Sequence, residues 1–459
     1  MRDRTRRGAW ASAVLAALVT VSVGTSTGSL TAAHAAGGLG AGGEYHPLAP
    51  TRIYDTRAPG INTTPGPITT SIASGTGGTA DVTVLGLGGV PADAASVLAV
   101  AVSITVVNPS RQGYLQVYPT GSAAGTSSVL NYEAGQNVPN LSVLTVGAGG
   151  KITVKLVTTA LGTADVLVDV FGWFSTSSFA TSGARLIPVA PGRIYDSRDA
   201  AFNPSTSPLG QRTTIKVPIR GADSLNPNVT DVVPNSPDVV GVVLNVTGIN
   251  DQPGSVGTFV SVLPEDPSGE VTTSNLNLAA GQVKANLVIV PVTNADGAIR
   301  IYNNTGNTHI AVDVVGYMLA NQDASTRLGR VVPLTAPFRA FDTRDANFGN
   351  VQLGPAQAET WSFSQFVGSV TLAGTPVGNQ IALIGNLTGT GLTSTGATYF
   401  TLYPDDATKP NASNINVTQG ANIPNMAVVK LGADDGIKAY NNGGYIHYLF
   451  DVSAVVLGN

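Results

Sequence analysis

Acidic and basic side chains recur together at three places in this sequence. Arg52, Asp55 and Arg57 lie in the string Arg-Ile-Tyr-Asp-Thr-Arg. The string returns twice with small changes, and its charged residues are then Arg193, Asp196 and Arg198, and Arg339, Asp342 and Arg344. An aspartate between two arginines can form a charged hydrogen-bond network, and its carboxylate is also a ligand type that calcium prefers. The spacing of Asp55 and Arg57 predicts that both side chains lie on one face of an extended strand.

A second aspartate recurs near the end of each copy. Asp169 and Asp313 lie in Val-Asp-Val, and Asp451 lies in Phe-Asp-Val. An unpaired charge inside such an apolar strand would be costly, and the planar guanidinium of arginine satisfies both carboxylate oxygens at once. We therefore predict that an arginine–aspartate pair latches the first strand of each copy to the last. A ligand or calcium site that uses the same acids is the alternative.

Asparagines form the third repeated set. The first series precedes a glycine turn and the second follows it, and the positions are Asn131, Asn277 and Asn416, then Asn140, Asn286 and Asn425. The pattern predicts a strand, a turn at Gly135, Gly281 or Gly420, and a second strand. Asparagine side chains can tie such a loop internally. Because amides also bind sugar hydroxyls, the two series are a candidate binding loop.

Catalytic and metal-binding patterns are missing from the sequence. It has no cysteine, which excludes disulfides and thiolate metal sites, and it has no nucleophile elbow, zinc-protease helix, phosphate loop or dinucleotide fingerprint. His309 and His447 each precede a repeated aspartate by four residues, a separation of about 13 Å along a strand, so the two side chains cannot share one ion. We predict no catalytic residue, no metal and no cofactor, and thus no enzyme.

The elements that position these residues read as β-strands. Charged residues make up only 11% of the chain, and 54 glycines and 28 prolines separate short runs of β-branched residues such as 96–107 and 239–249. Asp296-Gly297 is a tight-turn pair between two such runs. Short strands at this spacing predict an all-β chain of antiparallel β-sandwich or jelly-roll domains.

The repeat sets the predicted domain organisation. Its period of about 140 residues is too long for a solenoid unit, so each copy should own a core. We predict a signal peptide at 1–36 and three tandem homologous β modules at 45–175, 186–319 and 330–459. The short linkers allow the modules either to cluster or to form a string.

The first residues predict export. Four arginines within the first seven residues precede an apolar stretch from Ala9 to Val23, and Ala33-His34-Ala35 resembles a cleavage site. The stretch is too short for a membrane span, so we expect a secreted protein, extracellular or loosely attached to the cell surface, with no transmembrane span in the mature chain. Arg6-Arg7 leaves the general secretory and twin-arginine routes both open. No basic run remains after the signal, which disfavours a nucleic-acid partner.

Together these motifs resemble the repeated modules of secreted actinobacterial surface proteins. The shared pattern is the Ala-Pro-x-Arg-Ile-Tyr-Asp-Thr-Arg opening, an Asn-Val-Thr strand, a Ser-Asn-Leu-Asn segment and a Val-Asp-Val-Val-Gly-Tyr closing. The resemblance covers nearly all of the predicted mature chain and is best at 191–317. It implies secretion and a β architecture rather than an activity. The third copy departs from it, with Asp451-Val-Ser-Ala-Val at its end.

Repetition without catalytic residues favours a binding role. Three similar faces would raise avidity for a repetitive target such as a glycan or a cell wall. We therefore predict a secreted, non-enzymatic, multivalent binding or adhesion protein that acts at the cell envelope or in the extracellular matrix. The alternatives are a secreted carbohydrate-active hydrolase and a self-assembling structural surface protein.

Overall fold

The computed structural model describes residues 4–5, 42–58, 60–61, 66–70, 78–158, 160–177, 179–225, 228–364, 371–372, 375–376, 379–394 and 396–459. Strands dominate this part of the chain, and its helical turns are the three-residue 3₁₀ segments Ala148–Gly150 and Ala346–Phe348. The all-β prediction is therefore confirmed. Within the described ranges, no helix has the length and apolar character that a membrane crossing requires. Apart from residues 4–5, which form the short strand β1 (Arg4–Thr5), the predicted signal peptide lies outside those ranges.

Copy 1 of the repeat forms two facing sheets. Its strands are β2 (Tyr45–Asp55), β3 (Ile68–Thr69), β4 (Gly78–Thr83), β5 (Val97–Val107), β6 (Gly113–Pro119), β7 (Leu130–Tyr132), β8 (Val138–Leu144), β9 (Lys151–Thr158) and β10 (Thr163–Ser175). One sheet has the order β2-β10-β5-β8, with β3 also against β10, and the other has the order β4-β9-β6-β7. All these neighbours are antiparallel.

Copy 2 repeats this topology. Its strands are β11 (Arg185–Asp196), β12 (Thr213–Pro218), β13 (Ala222–Leu225), β14 (Asn228–Val233), β15 (Val239–Asn250), β16 (Thr258–Leu263), β17 (Leu276–Leu278), β18 (Gln282–Pro291), β19 (Ala298–Asn303) and β20 (His309–Leu319). The sheets are β11-β20-β15-β18 and β12-β19-β16-β17, and β13 pairs with β14 in a separate hairpin.

Copy 3 has the same two sheets. Its strands are β21 (Val331–Asp342), β22 (Gln357–Ser362), β23 (Thr371–Leu372), β24 (Thr375–Pro376), β25 (Gln380–Thr390), β26 (Ala397–Pro404), β27 (Ile415–Thr418), β28 (Ile423–Lys430), β29 (Gly436–Asn441) and β30 (His447–Leu457). The sheets are β21-β30-β25-β28 and β22-β29-β26-β27, β23 pairs with β24, and β1 lies parallel to β22. We call β2-β10-β5-β8, β11-β20-β15-β18 and β21-β30-β25-β28 the inner sheets.

The inner sheets are apolar on both faces. In β5, Val100 and Val102 pack into the core between the two sheets of copy 1, whereas Ala99 and Ala101 face the opposite way. Strand side chains alternate between faces, so a strand that is apolar at nearly every position is one covered on both sides. Each copy therefore has its own two-layer core and a second apolar face that the other copies cover.

These second faces meet in one central core. It contains Ala99 and Leu141 from copy 1, Leu287 from copy 2, and Ala382 and Met426 from copy 3. Strands β8, β18 and β28 contact one another in every pairing there. The three sheet pairs therefore cluster around a common centre, which decides between the two arrangements that the sequence left open.

An ion cluster joins the starts of the three copies. The Glu44 carboxylate accepts hydrogen bonds from Arg185 Nε at 3.1 Å and from Arg330 Nη2 at 3.0 Å. Arg185 is almost fully buried, with 1% of its side chain exposed. Backbone bonds from Tyr45 to Ala184 reinforce the contact between copies 1 and 2. Charged and backbone hydrogen bonds therefore tie the starts of the three copies to one another.

Candidate functional site

The repeated charges of copy 1 form one connected network. Arg52 lies opposite Asp169 in the β2–β10 register, and its Nε and Nη2 donate to the two Asp169 oxygens at 2.9 and 3.1 Å. Arg52 Nη1 also donates to Asp55 at 3.2 Å. Arg57 approaches Asp55 from the other side, with Nε at 3.0 Å and Nη2 at 2.9 Å. Both carboxylates therefore have an arginine partner on each oxygen.

Copy 2 holds the most buried version of this network. Arg193 donates to the two Asp313 oxygens at 2.5 and 3.2 Å and to Asp196 at 2.6 Å. Asp313 has no exposed surface, while Arg198, which closes on Asp196 at 2.8 Å, has 48% of its side chain exposed. The network therefore runs from solvent to the interior of the inner sheet.

Copy 3 repeats this geometry, but its first arginine is more exposed to solvent than that of copy 2. Arg339 donates to Asp451 at 2.8 and 2.9 Å and to Asp342 at 2.8 Å, and Arg344 donates to Asp342 at 2.6 Å. The Arg339 side chain is 29% exposed, against 9% for Arg193. The same four charges thus sit in environments of different polarity in the three copies.

One expectation about the local geometry was wrong. Asp55 and Arg57 do not lie on one face of a single strand, because β2 ends at Asp55 and Arg57 follows in a turn. That turn lets the Arg57 backbone N–H donate to Asp55 at 2.9 Å together with its guanidinium. The sequence also left open which arginine meets the final aspartate, and in every copy it is the first of the two.

The electrostatics of the network follow from burial and pairing. Burial alone would raise the pKa of Asp196, but hydrogen bonds from Arg198 and the charge of Arg193 outweigh it, and the net shift of that pKa is downward. The pKa of Asp313 is raised by its complete burial, against the attraction of Arg193. In the residues that the structure describes, no group of three or more histidines and acids could hold a metal ion. The network geometry supports strand closure more directly than ligand binding.

The inner asparagines connect copies rather than forming a surface loop. Asn140 in copy 1 donates from Nδ2 to Asn386 Oδ1 at 3.0 Å, and its Oδ1 accepts the Met426 N–H of copy 3 at 3.0 Å. Only 1% of Asn140 is exposed. Both the amino group and the oxygen of the Asn140 amide therefore take part in the contact between copies 1 and 3.

Asn425 makes the matching link between copies 3 and 2. Its Nδ2 donates to Asn245 Oδ1 at 2.9 Å, and its Oδ1 accepts the Leu287 N–H at 3.0 Å. Asn425 is fully buried, and Asn286 is 5% exposed. The prediction of a binding loop is thus wrong for Asn140 and Asn425, because the packing of the copies removes them from solvent.

The third link is incomplete. Asn286 Nδ2 donates to Asn275 O at 2.6 Å inside its own copy. Asn140 and Asn425 each donate to an asparagine of a neighbouring copy, Asn386 and Asn245. Copy 1 has Ser103 at the position equivalent to these two partners. Within the described residues, Asn286 makes no side-chain hydrogen bond to copy 1. The contact between copies 1 and 2 therefore lacks one amide pair.

The outer asparagines are half-buried. Asn131 and Asn277 line a central cavity of about 460 Å³, whereas Asn416 does not. Asn277 and Asn416 donate to Ser274 at 3.2 Å and Ser413 at 3.4 Å. The two outer asparagines in the cavity wall, together with Asn286, are the part of the predicted loop that borders an open volume.

All three copies build this central cavity. Its polar lining includes the side-chain amides of Asn131, Gln136, Asn277, Gln282 and Asn422. Apolar walls come from β8 and β28 and from the loop before β28, and Tyr114, 36% exposed, adds an aromatic ring. Sequence reasoning missed the cavity because no single copy contains it.

Comparisons with known proteins give no family. No protein-family model matches the chain, and no curated protein matches it. Among solved structures, the chain matches a triple jelly roll protein of an archaeal virus at 12% identity, over 91% of this chain and 90% of that one, with a TM-score of 0.17. It matches the CBM22 tandem of Paenibacillus barcinonensis Xyn10C at 13% identity, over 60% and 99%, with a TM-score of 0.17. Similarity at these scores carries no argument about function.

Proposed function

We propose that this protein is a secreted, non-enzymatic glycan-binding protein of the cell envelope or extracellular matrix. In this proposal each copy is a β-sandwich domain, and the three domains form one body with a composite binding site in the central cavity. The amide-lined cavity that all three copies share is the observation that carries the proposal.

The lining suits a carbohydrate. Amide side chains both donate and accept hydrogen bonds, which matches sugar hydroxyls, and an exposed tyrosine ring such as Tyr114 can cover a sugar face. The cavity volume of about 460 Å³ falls in the range of about 300–1,000 Å³ typical of small-molecule sites. A short saccharide segment is an occupant of suitable size and polarity.

The same lining disfavours a hydrolase. Glycoside hydrolysis requires two carboxylates about 5–9.5 Å apart on either side of the bond. Glu133 is the single acidic side chain in the cavity wall among the residues that the structure describes. Binding without turnover is therefore the function that the site supports best.

The central packing also changes the expected valency. Asn140 and Asn425 are buried between copies and Asn286 lines the shared cavity, so the inner asparagines do not form three equal and separate sites. One molecule then offers one central site, and avidity requires several linked molecules on a repetitive ligand.

A cavity-filling variant tests this proposal. The chain without residues 1–36 would be screened against a glycan array, and its best ligand measured by calorimetry. We expect Ala421→Trp, which places an indole in the cavity wall, to abolish binding, and Ala200→Trp, at an exposed turn, to leave it unchanged. Equal melting temperatures would show that both variants fold. No binding to any glycan, or undiminished binding by Ala421→Trp, would contradict the proposal.

A further inference from the structure

One lysine stands apart in the cavity wall. Lys284 follows the start of β18, and the equivalent positions in the other copies are Val138 in β8 and Ile423 in β28. All three side chains line the same cavity. Because two of the three copies fold with an aliphatic residue there, the fold does not require a charge at this position.

The Lys284 amine has little compensation within the protein. Its Nζ donates a hydrogen bond to the Asn277 carbonyl oxygen at 3.4 Å, and no carboxylate of the described residues forms an ion pair with it. Burial lowers the pKa of Lys284 to about 8. A partly buried ammonium without a counterion is costly, so a negative group brought into the cavity would gain from meeting it.

A second polar departure lies nearby in copy 1. Tyr132 is 3% exposed, and its equivalents in the other copies are Leu278 and Val417. Its hydroxyl is buried and has no hydrogen-bond partner in the described structure. Lys284 and Tyr132 each replace an aliphatic residue of the other copies, and both can donate a hydrogen bond.

We propose that the central cavity binds a carboxylate-bearing saccharide, with the sugar carboxylate on Lys284 Nζ and the sugar hydroxyls on the surrounding amides. This inference rests on the proposed function and specifies its ligand class. A single ammonium matches the single charge of a uronate, and no arginine, whose planar fork can hold a phosphate bidentately, lines the cavity among the described residues. The remaining lining is neutral apart from Glu133, which is exposed at the rim.

Matched acidic and neutral saccharides test the charge requirement. The probes are trigalacturonate, triguluronate and a hyaluronan tetrasaccharide, each beside its methyl ester, and inorganic phosphate as a simple anion. We expect at least one acid to bind about tenfold or more tightly than its ester, because an ionic hydrogen bond is lost on esterification. We expect phosphate to compete only weakly.

Variants of Lys284 locate the effect. Lys284→Ile copies the residue of copy 3 and Lys284→Gln keeps a polar side chain, and both should weaken binding of the acid about tenfold without changing binding of the ester. Lys430→Gln removes the same charge from an exposed strand end and should bind as the parent does. Lys284→Arg should retain most of the affinity. Melting temperatures identify any variant that fails to fold.

The pH profile gives an independent readout. The other ionisable side chains that line the cavity with Lys284 are Glu133, Tyr114 and Tyr132, and burial raises the pKa of Tyr132. Affinity for the acid should stay constant up to about pH 7 and fall above pH 8, as the free amine loses its proton.

The outcomes separate the two proposals. Equal affinity for acids and esters, or undiminished binding by Lys284→Gln, would overturn this inference and leave glycan binding intact. Binding of neutral glycans but of none of the three acids would have the same meaning. Absence of binding to every acidic and neutral glycan would overturn both.

Discussion

Replacing Asp313 with asparagine removes a negative charge from the interior of copy 2 while keeping the side-chain shape. Asp313 is fully buried and accepts hydrogen bonds from Arg193 at 2.5 and 3.2 Å. The Ser413 backbone of copy 3 also bonds to it. An asparagine can accept at only one end, so its amino group would face one of these donors.

The expected cost follows from what remains around the arginine. Removing one partner of a buried ion pair typically costs about 3–5 kcal/mol, because the other charge stays buried. Arg193 keeps its contact with Asp196 at 2.6 Å, so its charge is still partly compensated. We therefore expect Asp313→Asn to lower the free energy of unfolding by the lower end of that range, about 3 kcal/mol.

Urea unfolding followed by the fluorescence of Trp173 and Trp361 measures this loss. The control is Asp266→Asn, because Asp266 also pairs with an arginine, Arg300, at 2.9 Å but has 69% of its side chain exposed. An exposed pair contributes about 0–1 kcal/mol, so the control should unfold close to the parent. A loss for Asp313→Asn no larger than that of the control would refute the view that the buried pair closes the inner sheet.

Four further results follow from the same geometry. Asp451→Asn should cost less than the copy 2 variant, about 1.5–3 kcal/mol in urea unfolding, because its arginine is 29% exposed; an equal loss would contradict the burial argument. Asn425→Ala should lower the melting temperature by removing the amide link between copies 3 and 2, and an unchanged melting curve would oppose that role. Ser103→Asn should stabilise by about 0.5–1.5 kcal/mol if the new amide meets Asn286, and loss of stability would show that the copy 1–copy 2 contact has no room for it. The pKa of Asp196 is lowered despite burial, because its hydrogen-bonded arginine partners stabilise the carboxylate. The contribution of Asp196 to the free energy of unfolding should therefore be present above about pH 3.9 and be lost as pH falls through its folded pKa. In Asp196→Asn, acid unfolding should depend less steeply on pH than in the parent.

Much of the architecture was readable from local patterns. Alternating and continuous apolar runs predicted strands, and the β5 run, apolar at nearly every position, is typical of a strand covered on both faces. The Val-Asp-Val motif predicted that Asp313 is buried and therefore paired, and arginine is the side chain that best satisfies a buried carboxylate. The three-fold recurrence placed these features at equivalent positions in each copy.

The candidate site was not readable in the same way. Asn140 has the spacing of a loop residue, yet its partners Asn386 and Met426 lie more than two hundred residues away in another copy. The cavity lining likewise combines segments from all three copies, so no window of the sequence contains it. Lys284 was the one signal in the sequence, because the equivalent residues of the other two copies are aliphatic.

The sequence by itself determined the strands, the repeat and the need of each buried aspartate for a cation, because these depend on alternation and desolvation along a short stretch of chain. Only the tertiary structure decided which arginine meets that aspartate, since a turn after Asp55 redirects Arg57. It also decided that the second apolar faces close on one another and enclose a shared cavity. Contacts between distant copies depend on how whole sheets pack, and local periodicity carries no information about that packing.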